Sequence, residues 1–156
     1  MTSDTRRATP TRPKTFIARA PGRFGVAEPS GEQVRILLVD DNLDHVQLAM
    51  RALRNEPSWR VEAVRLGKEC LDRMQDEAFD LVLLDYRLPD MSGLDVLRAL
   101  RKTSKAPVIL MTAQGSEEVA IQALKEGATA YLVKNHDFGR RLAFEIRAWA
   151  ADAKGA

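Results

Sequence analysis

Five polar residues stand directly after four short apolar runs. Asp40 and Asp41 follow VRILLV (34–39), Asp85 follows DLVLL (80–84), Thr112 follows PVILM (107–111) and Lys134 follows TAYLV (129–133). Each is ordinary alone: an acidic pair suits a solvated turn, and a single aspartate suits any strand end. Their recurrence at four run ends is the signal, because parallel strands place their carboxyl ends along one edge, where open α/β sheets bind ligands. Three carboxylates gathered there repel one another. Two like charges ~4 Å apart, at an effective dielectric near ~20, cost about 4 kcal/mol. Either one carboxyl keeps its proton or a cation sits among them. Oxygen ligands with open water positions suit Mg²⁺. Lys134 adds a positive charge and Thr112 a hydroxyl donor. A metal, a lysine and a hydroxyl around a lone carboxylate would each meet one oxygen of a phosphoryl group. Asp85 is then the candidate nucleophile, as carboxylates are in aspartyl-phosphate chemistry.

A fifth run, RVEAV (60–64), completes the set, and the starts of the five lie 26, 20, 27 and 22 residues apart. That spacing leaves room for a helix between each pair and is too long for hairpins. The intervening segments have helical periodicity: Leu43, Val46, Met50 and Leu53 share one face, as do Leu94, Leu97 and Leu100, and Phe138, Leu142, Ile146 and Trp149. Pro57 and Gly127 follow the first and fourth helical segments, where breakers and C-caps belong. Alternating β and α with near-continuous apolar strands predicts a parallel sheet covered on both faces. With right-handed crossovers, the expected fold is α/β: a flavodoxin-like three-layer sandwich, a five-stranded parallel sheet of order 2-1-3-4-5 with five helices.

The 156 residues, 45% hydrophobic and 29% charged, suit one globular domain and too few for two full ones. No stretch approaches the ~18 apolar residues of a membrane helix, and no apolar run begins the chain as a secretory signal would. Cys70 is the single cysteine, which excludes a disulfide-stapled scaffold and points to a reducing cytoplasm. It is expected to pack with Leu71 and Met74 rather than react. Net charge is +2, unevenly spread. Residues 1–32 carry Arg6, Arg7, Arg12, Lys14, Arg19 and Arg23 against Asp4, Glu28 and Glu32, leaving a balance of −1 in the body. That body has no electrostatic footprint for nucleic acid. Residues 1–32 also hold four of the seven prolines and three of the nine glycines, so they read as a flexible basic extension, with 33–153 as the folded domain. Phe16-Ile17 and Phe24-Gly25-Val26 are the apolar spots on it that a partner could take.

The stretches ILLVDDN (36–42), LVLLDYRLPDMSG (81–93), VILMTAQG (108–115) and GATAYLVK (127–134) resemble the receiver domain of two-component response regulators, over about residues 33–153. The resemblance implies that Asp85 accepts a phosphoryl group from a sensor histidine kinase or histidine phosphotransfer protein. It implies that Asp41, the Asp85 side chain and the backbone carbonyl of Arg87 ligate Mg²⁺, with Asp40 helping through water. Thr112 would turn toward the phosphoryl group, Lys134 would pair with it, and Tyr131 matches the aromatic that the family buries on activation. The fourth helix, fifth strand and fifth helix would form the output face. Phosphorylation and dephosphorylation would be self-catalysed, without enzymatic turnover of another substrate. With no second domain after Ala156, the expectation is a stand-alone regulator without a DNA-binding domain or membrane anchor. It would act on an unknown downstream protein, by phosphorelay or by contact, with room for a phosphorylation-dependent dimer. Six scattered charges in the tail make only a weak site for DNA or membrane.

Where the family has proline after the lysine, joined by a cis bond, this chain has Asn135. A cis bond before a non-proline residue costs about 2.5–4 kcal/mol, so a trans bond or rebuilt loop is expected, with Asp137 capping the last helix. Arg87 and Gln114, two positions beyond Asp85 and Thr112, flank the phosphate site and could tune the phosphate's lifetime. His45 reads as an exposed first-turn histidine rather than a ligand, and His136 as a loop residue. Phe144 falls nearly opposite Leu142 on the last helix and, with Tyr131, could belong to a partner surface. Two rival classes stay open. A phosphatase of the haloacid dehalogenase type also uses an aspartate nucleophile with Mg²⁺, but would want an acid where Arg87 stands. A phosphate-independent receiver-like module would tend to lack the acidic pair or the lysine. Flavin phosphate binding fails because the first loop offers two carboxylates where backbone donors are needed.

Overall fold

The computed structural model describes residues 17–19 and 33–155. In chain order its elements are β1 (Ile17–Arg19), β2 (Val34–Val39), α1 (Leu43–Leu53), β3 (Trp59–Val64), α2 (Gly67–Asp76), β4 (Leu81–Asp85), α3 (Gly93–Arg101), β5 (Val108–Thr112), α4 (Glu117–Lys125), β6 (Ala130–Val133) and α5 (Phe138–Gly155). The sheet order is β1-β6-β5-β4-β2-β3. From β2 to β6 every pairing is parallel, and counted from Val34 the order is the predicted 2-1-3-4-5. The structure adds a sixth strand that sequence reading did not predict. Ile17–Arg19, within the stretch read as a flexible extension, pairs antiparallel with β6 and covers its outer edge. Three residues are too few to carry a periodic signal. Phe16, Phe24-Gly25-Val26 and the rest of 1–32 lie outside the described residues.

The two faces of the sheet follow from strand alternation. Ile36, Leu38, Leu83, Ile109 and Leu132 point to the side covered by α1 and α5, where Leu53, Phe138, Leu142, Ile146 and Trp149 complete the core. Leu37, Val39, Leu84, Leu110 and Tyr131 point to the side covered by α2, α3 and α4, against Cys70, Val96, Leu97 and Leu100. The stripe predicted for the last helix is buried throughout. That of α1 is not: Leu53 is buried, Val46 and Met50 are partly buried, but Leu43 is 68% exposed. It sits in the first turn, beyond the sheet edge, where no layer covers it.

Helix starts are fixed by side-chain oxygens that satisfy otherwise orphaned N–H groups. Asn42 accepts from the His45 amide in α1, Ser92 from Asp95 in α3 and Ser116 from Val119 in α4. The Asp90 carboxylate, from the loop after β4, accepts from the Gly67 and Lys68 amides at 2.9 Å each and so ties α2 to that loop. Gly127 ends α4 at φ 108°, a conformation that favours glycine, and its carbonyl accepts from the Arg101 guanidinium at 2.9 Å.

Candidate functional site

Strand ends build the site. Asp85 and Thr112 are the last residues of β4 and β5, one position further into the strands than predicted, and Asp40 and Lys134 directly follow β2 and β6. All four are buried, while Asp41 is exposed. Asp41, Asp85, Thr112 and Lys134, with Asn42, His45, Arg87 and Gln114, border an open cleft of about 660 Å³, and Asp40 joins them through its ion pair with Lys134. The five predicted residues therefore meet at one place.

Lys134 is the hub. Its ammonium is 2.8 Å from Asp40 Oδ2, 3.2 Å from Asp85 Oδ1 and 2.8 Å from His45 Nδ1. Asp40 uses its other oxygen to accept from the Asn42 amide at 2.9 Å, which shapes the turn into α1. One oxygen from each of Asp40, Asp41 and Asp85 lies within 4.8 Å of the others. Burial, opposed by Lys134 and reinforced by Asp40, pushes the Asp85 carboxyl up to about 6. An all-oxygen cluster open to solvent on the Asp41 side is the hard donor set that Mg²⁺ takes, with room for its waters.

The loop after β4 is held at both ends. The Tyr86 amide donates to the Met111 carbonyl at 2.7 Å, the Gly93 amide to the Tyr86 carbonyl at 2.6 Å, and Arg87 forms a β-bridge with Ser92. This fixes the backbone of Arg87 beside the acidic cluster. The Thr112 hydroxyl is engaged with the backbone of Gln114, donating to its carbonyl at 3.2 Å and accepting from its amide at 3.3 Å. Tyr131 is fully buried, and its hydroxyl accepts from the Ser116 amide at 3.3 Å, linking β6 to the start of α4.

Beyond Lys134 the chain differs from one expectation. No peptide bond among the described residues is cis, so the Lys134–Asn135 bond is trans as expected. The turn, however, is organised by Asn135 rather than by Asp137. Asn135 Oδ1 accepts from the Asp137 amide at 2.9 Å, and Asp137 lies near Arg140 at 3.9 Å. The short amide side chain reaches the backbone two residues on, and Asp137, directly before α5, accepts the Arg141 amide with its carbonyl at 3.1 Å.

His45 stands in the first turn of α1 as expected, but its side chain is half-buried rather than exposed. It lies against Lys134 in the cleft, and burial, then Lys134, hold its imidazolium form below the usual histidine range. A signal was available. Asn42 caps α1, so His45 is in the helix's first turn, one turn above the acidic pair and facing the strand ends. Cys70 is buried, its thiol pushed up to about 12 by that burial, and His136 is exposed in its loop, both as expected. The surface expected of Phe144 with Tyr131 is not formed: Phe144 is 53% exposed on α5, but Tyr131 is fully buried in the core.

Comparison with known proteins agrees with this geometry. The family model for the response regulator receiver domain matches residues 36–143. The transcriptional regulatory protein ZraR of Klebsiella oxytoca is 39% identical over 112 residues, 71% of this chain and 25% of that protein. The transcriptional regulatory protein CpxR of Escherichia coli (strain K12) is 40% identical over 114 residues, 73% of this chain and 48% of that protein. The chain thus spans between a quarter and a half of the curated relatives it matches. Among solved structures, a CheY-like response regulator receiver domain protein from Methanospirillum hungatei JF-1 superposes with a TM-score of 0.70 at 30% identity, covering 79% of this chain and 98% of that one.

Proposed function

Because the chain belongs to the response regulator receiver domain family, we propose that it is a phosphoacceptor: Asp85 takes a phosphoryl group from a histidine kinase or phosphotransfer protein, and the change at the cleft is read by another protein. The observation that carries this reading is the convergence of Asp85, Lys134, Thr112 and Asp41 on one open cleft, with Asp40 paired to Lys134 and within reach of the other two carboxylates.

In the transfer, an Asp85 oxygen attacks phosphorus as the P–N bond of a phosphohistidine breaks, and the departing imidazole nitrogen takes a proton from solvent. Asp85 is pre-placed at the mouth of the cleft. Lys134 neutralises the charge that develops on one phosphoryl oxygen, and the Thr112 hydroxyl leaves Gln114 to donate to another. Asp41, Asp85, the Arg87 carbonyl and, through water, Asp40 would hold Mg²⁺. When bound, magnesium supplies positive charge to the phosphoryl oxygens. Hydrolysis reverses the covalent step: water attacks phosphorus and Asp85 leaves as carboxylate.

The finer proposals are a cytoplasmic regulator built from a basic extension (1–32) and a receiver unit (33–153). It acts by protein contact or phosphorelay rather than by turnover of a substrate. Thr112 and Tyr131 are the switch residues, because Tyr131 connects β6, which leads into Lys134, to the first turn of α4. The test is intact mass after incubation with phosphoramidate, with and without Mg²⁺, beside Asp85→Asn. One phosphoryl adduct that requires both Mg²⁺ and Asp85 is expected. A folded protein that gains none, and is not shifted by beryllofluoride with Mg²⁺ in its NMR spectrum, would be a module that signals without phosphate.

A further inference from the structure

An ammonium group has three N–H donors and no acceptor. Lys134 has three neighbours for them: Asp40 Oδ2 at 2.8 Å, Asp85 Oδ1 at 3.2 Å and His45 Nδ1 at 2.8 Å. Its side chain is 4% exposed, so water is a poor substitute for any of the three. Lysine can only donate, so the His45 Nδ1 that receives it must carry a lone pair, and the ring proton sits on Nε2. The histidine is itself held from below, since its amide donates to Asn42 Oδ1 at 3.1 Å and Asn42 in turn donates its amide to Asp40. His45, Asn42, Asp40 and Lys134 form one closed set.

We infer that His45 is a positioning residue for Lys134: its Nδ1 accepts the third N–H and keeps the ammonium seated between β2 and β4, aimed at the Asp85 oxygen that reacts. The inference rests on the phosphoacceptor reading and deepens it. Acylation of phosphate removes the negative charge from the Asp85 oxygen facing Lys134, and the N–H released there is the one a phosphoryl oxygen can take. Asp40 and His45 then hold the other two. Without the imidazole acceptor, the third N–H has no protein acceptor, and the ammonium is no longer fixed before the phosphoryl group arrives.

Asparagine places an oxygen where histidine has Nδ1, whereas alanine places nothing, so the pair separates an acceptor from a mere filler. Phosphorylation of the full chain by phosphoramidate with Mg²⁺, followed by intact mass, should be slower in His45→Ala by about three- to tenfold, the rate equivalent of one hydrogen bond. His45→Asn should recover most of that rate. In the metal-free wild-type protein at neutral pH, ¹⁵N NMR should show His45 Nδ1 as the bare, hydrogen-bonded nitrogen and Nε2 as the protonated one. A proton on Nδ1, rates in His45→Ala equal to wild type, or equal slowing in both variants would overturn the inference while leaving Asp85 as acceptor. If wild type itself acquires no adduct, the NMR tautomer still decides whether His45 accepts from Lys134.

Discussion

A Cβ added to Gly93 would lie 2.5 Å from the carbonyl oxygen of Asp85 and 2.9 Å from the Cα of Tyr86. The first residue of α3 therefore touches the backbone of Asp85, the proposed phosphoacceptor. The Gly93 amide also donates to the Tyr86 carbonyl at 2.6 Å, so neither side can retreat without breaking that bond. Gly93→Ala must push α3 away from the end of β4. The expected loss is about 1–3 kcal/mol, as for other overpacked sites, with slower phosphorylation because Asp85 moves relative to Lys134. Urea unfolding and intact-mass time courses check both parts. Wild-type stability in the variant would mean that the contact relaxes at no cost.

Charge on Asp85 works against the fold. Burial lifts its carboxyl to about 6 from an ordinary 3.8. A group raised in the folded state contributes its full stability below the unfolded value and loses it as pH rises through the folded one. Between pH 4 and 6, then, this site progressively destabilises the protein. Asp85→Asn removes the charge at nearly constant volume. It should be more stable than wild type at pH 7.5 by on the order of 1 kcal/mol, once solvent screening at the cleft mouth is counted. The gap should close toward pH 4. Thermal melts of both proteins across this range test the sign, and an Asn variant less stable at pH 7.5 would refute it.

Lys134→Met leaves Asp40 and Asp85 facing each other with no counter-charge. Breaking a buried pair by removing one partner costs about 3–5 kcal/mol, and less here to the extent that water enters the cleft. A divalent cation can replace the missing charge. Mg²⁺ should therefore raise the melting temperature of Lys134→Met more than that of wild type, in a concentration-dependent way. Differential scanning fluorimetry over a magnesium series reads this directly. Equal shifts in the two proteins would show that Lys134 does not share the carboxylates with the metal site.

The five parallel strands and the residues at their ends were legible because burial on both faces writes continuous apolar runs, and run ends carry the polar groups. Asp85 and Thr112 lay one residue inside their strands, a difference that polarity alone cannot mark. Leu43 misled because helical periodicity assigns a face without saying where the covering layer stops. His45 was misjudged for a related reason. Its contact with Lys134 joins residues 89 apart in sequence, and only the crossover brings them together. Asn135 showed that the loop would differ from the family, yet not that its own side chain would organise the turn. Strand β1 left no trace, since three residues in a Pro- and Gly-rich stretch carry no pattern.

That strand carries the last prediction. Its register sets Ile17 opposite Leu132, Ala18 opposite Tyr131 and Arg19 opposite Ala130. Ordering three residues costs about 1–2 kcal/mol each, and the ladder bonds return about 0.5–1.5 kcal/mol each. The sum is close to zero, so β1 covers the edge of β6 without anchoring the fold. Removing residues 1–32 should change unfolding stability by less than about 1 kcal/mol. Amide hydrogen exchange should speed up at Ala130–Leu132 while β4 and β5, interior to the sheet, stay protected. An uncovered strand edge is a template for pairing with another chain, so the truncated protein should also self-associate more at high concentration in sedimentation velocity. Unchanged exchange at Ala130–Leu132 would mean that β1 is not paired there in solution. A large loss of stability would mean that the extension does more than cover one edge.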